Sequence, residues 1–413
     1  FIMTATALLL RTIGMFFRVY MSNKIGAEGM GLYQLIFSIY VLGSTFATSG
    51  ICTAVTRLVT DELVTGTKKS VNAVLRKAIV LSVLIGVVSA LLIFFGADPI
   101  SRYWLKDLRA IPALKVLCFS LPSMGVSSCL RGYFIARRKA ASPSRAQIFE
   151  QIVRIGVVVF LIDRFAVLGL TFACVAVMLG DTLAEIASCL YLAAGYFHDH
   201  RKVKIPPSPP VKQRHGVLYR LLAIAAPITA GRYLNTILRT IENILVPSTL
   251  TKYSGSKEKA LSSFGALKGM AMPLLFFPSS FLNSLSTLLI PEISEASALH
   301  QQKKVNRAVG LTLQITLLSS ILLSGLFTMF ARELGLVIYN SEEVGFLLLV
   351  LAPLMPIMYV ESVVDGMLKG LNQQVSSLKY MLLDSSSRIV LILFLVPSRG
   401  MEGFLFIMVL SNL

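Results

Sequence analysis

The sequence predicts an all-α integral membrane protein built as two six-helix lobes, related by a pseudo-two-fold axis along the membrane normal. Three observations lead there. The 413 residues are 55% hydrophobic and only 15% charged, with a mean hydropathy of +0.74, which leaves too little polar surface for a soluble domain. The apolar runs are about 20 residues long without period-two alternation, so helices are favoured over a barrel as the means of satisfying backbone groups in hydrocarbon. Third, the stretch Pro122–Ile155 returns without a gap as Pro356–Ile389. Pro122, Gly132, Ser142, Arg154 and Ile155 fall on Pro356, Gly366, Ser376, Arg388 and Ile389, and Glu150 falls on Asp384. Such duplication in a membrane protein is a transporter's signature.

About twelve helices follow from hydropathy, over residues 1–21, 31–56, 77–97, 111–136, 146–163, 167–197, 217–247, 263–291, 307–330, 343–369, 376–396 and 400 onward. Gly31 falls on Gly265 in the same register as the repeat. Loops after even-numbered helices hold the basic residues, as in Arg137, Arg138 and Lys139 or Lys303, Lys304 and Arg307. The positive-inside rule then puts those loops and the amino terminus in the cytoplasm. It also accounts for the net charge of +18 without a nucleic-acid partner. The Pro-rich basic segment 198–216 is the expected cytosolic linker between an N-lobe, 1–197, and a C-lobe, 217–413. His198, His200 and His215 lie in it with no Cys or acid cluster to complete a metal site, so no metal is expected.

Charges inside apolar helices need a cavity, a partner or a helix end. Arg11 and Arg18 stand seven apart on the first helix, as do Arg232 and Arg239 on the seventh, so each pair shares a face. Arg11 has no acid at helical spacing, and a cavity role competes with an ion pair to another helix. Arg239 and Glu242 are expected to satisfy each other, leaving Arg232 uncompensated. Lys268 is a further cavity candidate, against snorkelling to the headgroups. Glu150 with Arg154, and Asp384 with Arg388, form one-turn pairs expected to be structural. Asp181 and Glu185 are like charges one turn apart, which either hold a proton or cation or are neutralised by an arginine of another helix. Pro227, Pro273, Pro278, Pro353 and Pro356 mark bends.

The five cysteines lie in apolar runs and predict no disulfide. No phosphate-loop motif occurs, no cofactor is implied, and the loops offer no constellation for a hydrolase. The first residue is not Met and the chain stops in an apolar run, so both ends are expected to be truncated.

The segment Gly26–Val59, with Gly26, Gly29, Gly31, Tyr33, Gln34, Tyr40, Gly50 and Ala54, resembles the opening of the stage V sporulation protein B and polysaccharide-exporter group. GMAMPLL at 269–275, SLSTLLIPEISEA at 284–296 and GMLKGLN at 366–372 resemble its eighth and tenth helices. The group belongs to the multidrug/oligosaccharidyl-lipid/polysaccharide (MOP) superfamily, related to lipid II flippases. That resemblance implies a MATE-like fold, commonly of fourteen helices, with a central cavity and alternating access. It implies a bacterial plasma-membrane protein, a monomer, whose cargo is an undecaprenyl-pyrophosphate-linked saccharide, with H+ or Na+ coupling. Arg11 and Arg18 stand near positions that meet the pyrophosphate in the lipid II branch, and Lys268 where that branch has a basic residue, whereas the arginine of its second helix is missing here.

The expected function is therefore a flippase moving a lipid-linked cell-wall or polysaccharide precursor from the inner to the outer leaflet. Arg11, Arg18, Arg232 and Lys268 are its substrate-binding candidates, and Asp181 and Glu185 its ion-coupling candidates. The alternatives are a multidrug/cation antiporter of the same superfamily, and a membrane enzyme or scaffold of lipid-linked glycan assembly.

Overall fold

The fold was obtained as a computed structural model that describes residues 2–48, 50–65, 67–202, 216–282, 299, 301–371 and 373–412. Among these residues all regular structure is helical. Among the described residues eight helices are long and apolar enough to cross a membrane, in keeping with the predicted class. Most of the 198–216 linker, the 284–296 block and the end of the eighth expected helix lie outside the described residues.

The first correction concerns where helices break. The break expected between 1–21 and 31–56 falls at Gly26 (φ 71°), where α1 (Ile2–Thr48) bends, whereas the second expected helix is interrupted, α2 (Ile51–Thr65) starting after Gly50 (φ 73°). Positive φ carries no Cβ penalty at glycine, so the chain breaks at Gly26 within the expected gap and also at Gly50, inside an apolar run. α3 (Lys68–Pro99) begins nine residues ahead of the expected 77. Its polar first turns escape a hydropathy window, yet Thr67 caps them: the Ser70 amide donates to Thr67 Oγ1 at 3.2 Å and the Thr67 amide to Ser70 Oγ at 2.9 Å.

The fourth expected helix is split into α4 (Ala110–Cys118) and α5 (Ser120–Ala136). Then follow α6 (Ala141–Ala166), α7 (Leu170–Lys202) and α8 (Val217–Ser254), the last continuous through Pro227. α9 (Lys257–Phe264) passes through a π-helical turn, Gly265–Ala271, into α10 (Met272–Phe276). Pro273 has no amide to donate, and the wide turn absorbs that loss. α11 (Gln302–Met329) is followed by α12 (Ala331–Tyr339), a short helix absent from the hydropathy reading. α13 (Glu342–Leu351) and α14 (Met355–Gly370) are separated by a 3-10 turn at Ala352–Leu354, next to Pro353 and Pro356. The last two expected helices form α15 (Gln374–Asn412), bent at Gly400 (φ 62°). The repeated stretches thus become two helix–turn–helix pairs, α5–α6 and α14–α15.

The chain packs as two compact units: Phe1–Leu10 with Leu35–Thr240, and Arg11–Gln34 with Ile241–Leu413. In the first, Val55, Leu58, Leu75, Leu130, Phe134 and Leu192 belong to one buried cluster drawn from α2, α3, α5 and α7. Lipid is as apolar as leucine, so close contact and interhelical hydrogen bonds matter more here than removal from water. Thr56 Oγ1 supplies one such bond, donating to the Gly132 carbonyl across to α5 at 3.2 Å. In the second unit, the segment of α1 after Gly26 crosses the π turn so closely that a Cβ on Gly265 would stand 1.9 Å from the Ala27 oxygen and 2.5 Å from the Gly31 nitrogen. The two glycines aligned by the sequence repeat therefore meet in space. α12 has its use there as well, because Tyr339 donates its hydroxyl to the Met270 carbonyl in the π turn at 3.2 Å, and Asn23 Nδ2 donates to the Ile338 carbonyl at 3.1 Å.

Candidate functional site

The first unit gathers five ionisable side chains from three helices. α6 lies along α7 so tightly that a Cβ on Gly180 would stand 2.3 Å from Val158 Cγ2. That approach brings Arg154 of α6 against Asp181 of α7, with Nε 2.7 Å from Oδ1. The same guanidinium holds its one-turn neighbour Glu150, Nη2 to Oε1 at 2.9 Å, and donates from Nη1 to Gln151 Oε1 at 2.9 Å. Arg131 of α5 takes the other Glu150 oxygen, Nη2 to Oε2 at 3.0 Å. Glu185, one turn beyond Asp181 and 5% exposed, makes no ion pair among the described residues.

A similar arrangement recurs in the second unit around Glu242 of α8. Arg388 Nη2 lies 2.6 Å from Glu242 Oε1, and Lys268 Nζ lies 3.2 Å from that oxygen. Arg388 also reaches its one-turn neighbour Asp384 at 3.8 Å, and Asp384 accepts a hydrogen bond from Ser411. Lys268 stands over the Phe404 ring, 5.8 Å from its centroid. Arg154 and Arg388, equivalent in the sequence repeat, are thus each the centre of a network that ties their own helix to another.

Several expectations are corrected by this geometry. Glu242 is held by Lys268 and Arg388, while Arg239 donates from Nε to Asn235 Oδ1 at 3.1 Å, so the expected Arg239–Glu242 pair is replaced. Lys268 is engaged by the buried carboxylate of Glu242. Asp181 lies against an arginine of another helix, Arg154. The Glu150–Arg154 and Asp384–Arg388 pairs exist, but neither is closed on itself. Arg131 was not singled out in the sequence, because its partner lies 19 residues away on the next helix.

Arg11, Arg18 and Arg232 are different. Among the described residues none of them forms an ion pair, and Arg11 and Arg232 are exposed. Arg18 is half-buried, within electrostatic reach of Tyr339. An arginine in an apolar span is costly without a counter-charge. Guanidinium forks suit a phosphate or diphosphate, which accepts two parallel hydrogen bonds from each.

The chain is 27% identical to stage V sporulation protein B of Bacillus subtilis (strain 168) over 406 residues, covering 97% of this chain and 78% of that one. Lipid II flippase MurJ of the same organism is 22% identical over 412 residues, covering 91% and 72%. Among solved structures, a lipid II flippase MurJ in an inward closed conformation superposes with a TM-score of 0.75 at 13% identity, over 99% of this chain and 84% of that one. An inward-facing multidrug resistance MATE family transporter of the MOP superfamily gives 0.74 at 16% identity, over 98% and 91%. These likenesses bear out the resemblance read from Gly26–Val59 and show a MATE-like, multi-pass membrane fold. The family model described as "Polysaccharide biosynthesis protein" matches residues 1–297, and the chain belongs to that family.

Proposed function

We propose that this protein is a flippase that carries an undecaprenyl-pyrophosphate-linked saccharide, a cell-wall or polysaccharide precursor, from the inner to the outer leaflet without covalent change. The observation that carries the reading is the set of arginines, Arg11, Arg18 and Arg232, that lie in apolar helices with no ion pair among the described residues. A diphosphate is an anion that a guanidinium fork suits, and desolvation strengthens such contacts. The names of the relatives, a lipid II flippase among them, support the same cargo class.

In this reading two six-helix lobes, 1–197 and 217–413, alternate access around the cargo while the 198–216 linker stays in the cytosol. The protein works as a monomer in the bacterial plasma membrane with its amino terminus inside, and an H+ or Na+ gradient drives the step. Lys268 serves the cavity only indirectly, as part of the network around Glu242.

The test is depletion in the native cell, with mass spectrometry of the lipids on each leaflet. A polyprenyl-pyrophosphate saccharide should accumulate on the inner leaflet, chemically unaltered. Accumulation of an incomplete or unjoined glycan would instead point to an enzyme or assembly scaffold, and no lipid accumulation with raised sensitivity to cationic drugs would point to an antiporter.

A further inference from the structure

The charges of the five-residue cluster in the first unit do not cancel. Arg131 and Arg154 supply two positive charges, whereas Glu150, Asp181 and Glu185 are three acids. Both arginines are committed, Arg131 to Glu150 and Arg154 to Glu150 and Asp181, at 2.7 to 3.0 Å. Glu185 is left without an ion pair at 5% exposure. The groups that act on it are Ser127 and Arg131 from α5 and Glu150 and Arg154 from α6. Tyr40 of α1 and Cys189 of its own helix face it too, with Asp181 one turn away. Lys115, the cation of α4, pairs with Asp98 instead at 3.3 Å.

A fifth charge in this place has an unfavourable balance. Burying an uncompensated carboxylate costs several kcal/mol, and Glu150 adds like-charge repulsion. One added proton makes the five-residue cluster neutral. A sodium ion would also balance the sum, but it needs several oxygen ligands around one point. Among the described residues no three acids, histidines or cysteines converge to hold a metal ion, and two guanidinium groups already occupy the neighbourhood.

We infer that Glu185 is held as the neutral carboxylic acid and is the residue at which this protein takes up and gives up a proton, so that the exchanged ion is H+ and not Na+. The inference rests on the ion-coupled transport reading and separates two residues that the sequence left together: Asp181 is a fixed counter-ion, Glu185 the exchangeable site. Release follows if Arg131 turns from Glu150 to Glu185. The O–H bond of Glu185 breaks, the proton leaves to water, and the carboxylate that remains is stabilised by the guanidinium. Glu150 keeps Arg154.

The experiment uses the purified full chain in nanodiscs without cargo, followed by infrared spectroscopy of the protonated-carboxyl stretch across a pH titration. The wild type should show a carboxylic-acid band near neutral pH that is lost completely in Glu185→Gln and kept in Asp181→Asn. Glu150→Gln frees Arg131 to pair with Glu185, so it too should lose the band near neutral pH. Added Na+ should leave the wild-type band unchanged. If Glu185→Gln fails to fold, Glu185→Asp should still fold and keep a band at a shifted frequency. A band that survives in Glu185→Gln, a wild type without one, or a band removed by Na+ would each overturn the inference. None of these outcomes touches the cargo assignment, which depends on the lipid that accumulates on depletion.

Discussion

Arg154 Nε stands 2.7 Å from Asp181 Oδ1 while its Nη2 holds Glu150 Oε1 at 2.9 Å, so a single guanidinium fastens α6 to α7. Removing it takes the arginine from buried Asp181 and leaves Glu150 with Arg131. Loss of one partner of a buried ion pair costs about 3–5 kcal/mol. Arg154→Met should therefore lower thermal stability in detergent sharply. Asp181→Asn, which removes an acid and leaves Arg154 with Glu150, should lower it much less. Equal melting of Arg154→Met and wild type would show that the pair contributes nothing to the fold.

Gly265 gives a second test, of packing in place of charge. Its Cα faces the backbone of α1, where a methyl group would fall 1.9 Å from the Ala27 oxygen. Backbone on that side cannot rotate away as a side chain can, so Gly265→Ala must push two helices apart. Overpacking costs about 1–3 kcal/mol, and the expected result is a lower melting temperature and a poorer yield. Gly156→Ala, at a site where an added Cβ meets nothing within 4 Å, serves as the control and should melt like the wild type.

The order of the helices was legible because membrane spans announce themselves by hydropathy alone, and the α5–α6 and α14–α15 repeat because duplication preserves spacing. Contacts within one helix were legible for the same reason: Glu150–Arg154 and Asp384–Arg388 follow from a one-turn interval. Contacts between helices were not. Whether Glu242 meets Arg239 on its own helix or Arg388 on α15 depends on how α8 is rotated, and no spacing rule encodes that. Arg131 was passed over for the same reason, its partner being on the next helix. The break at Gly50 was hidden differently, since glycine is common in membrane helices and only the backbone shows which ones take positive φ. α12 was missed because a nine-residue helix is shorter than the window that finds spans.

Orientation can be tested in the linker. Lys and Arg are concentrated in alternate loops, and the linker is the richest of them, so the positive-inside rule assigns it to the cytosol. A cysteine introduced as Ser208→Cys should resist a membrane-impermeant maleimide in intact cells and react once the membrane is permeabilised. The parent protein, with its own five cysteines, sets the background. Labelling of intact cells would reverse the topology and with it the direction of transport.

Arg11 carries the sharpest prediction about cargo. It stands near the middle of the helical segment between Ile2 and the bend at Gly26, is exposed, and forms no ion pair among the described residues. A residue with no structural counter-charge should be removable without loss of fold. Arg11→Ala should therefore melt within a degree or two of wild type, since a change of about 0.5 kcal/mol is the usual limit at such a position, yet lose most of its flipping of a pyrophosphate-linked lipid. Arg11→Lys keeps the charge but not the two-pronged donor, and a point charge cannot reproduce a bidentate phosphate contact. It should recover part of the activity only. Full activity in Arg11→Lys would reduce the residue to a field effect. Full activity in Arg11→Ala would remove it from the cargo site altogether. A collapse of stability in Arg11→Ala would mean that the guanidinium has a structural partner, and the residue would then belong with Arg154 and Arg388 as a helix fastener.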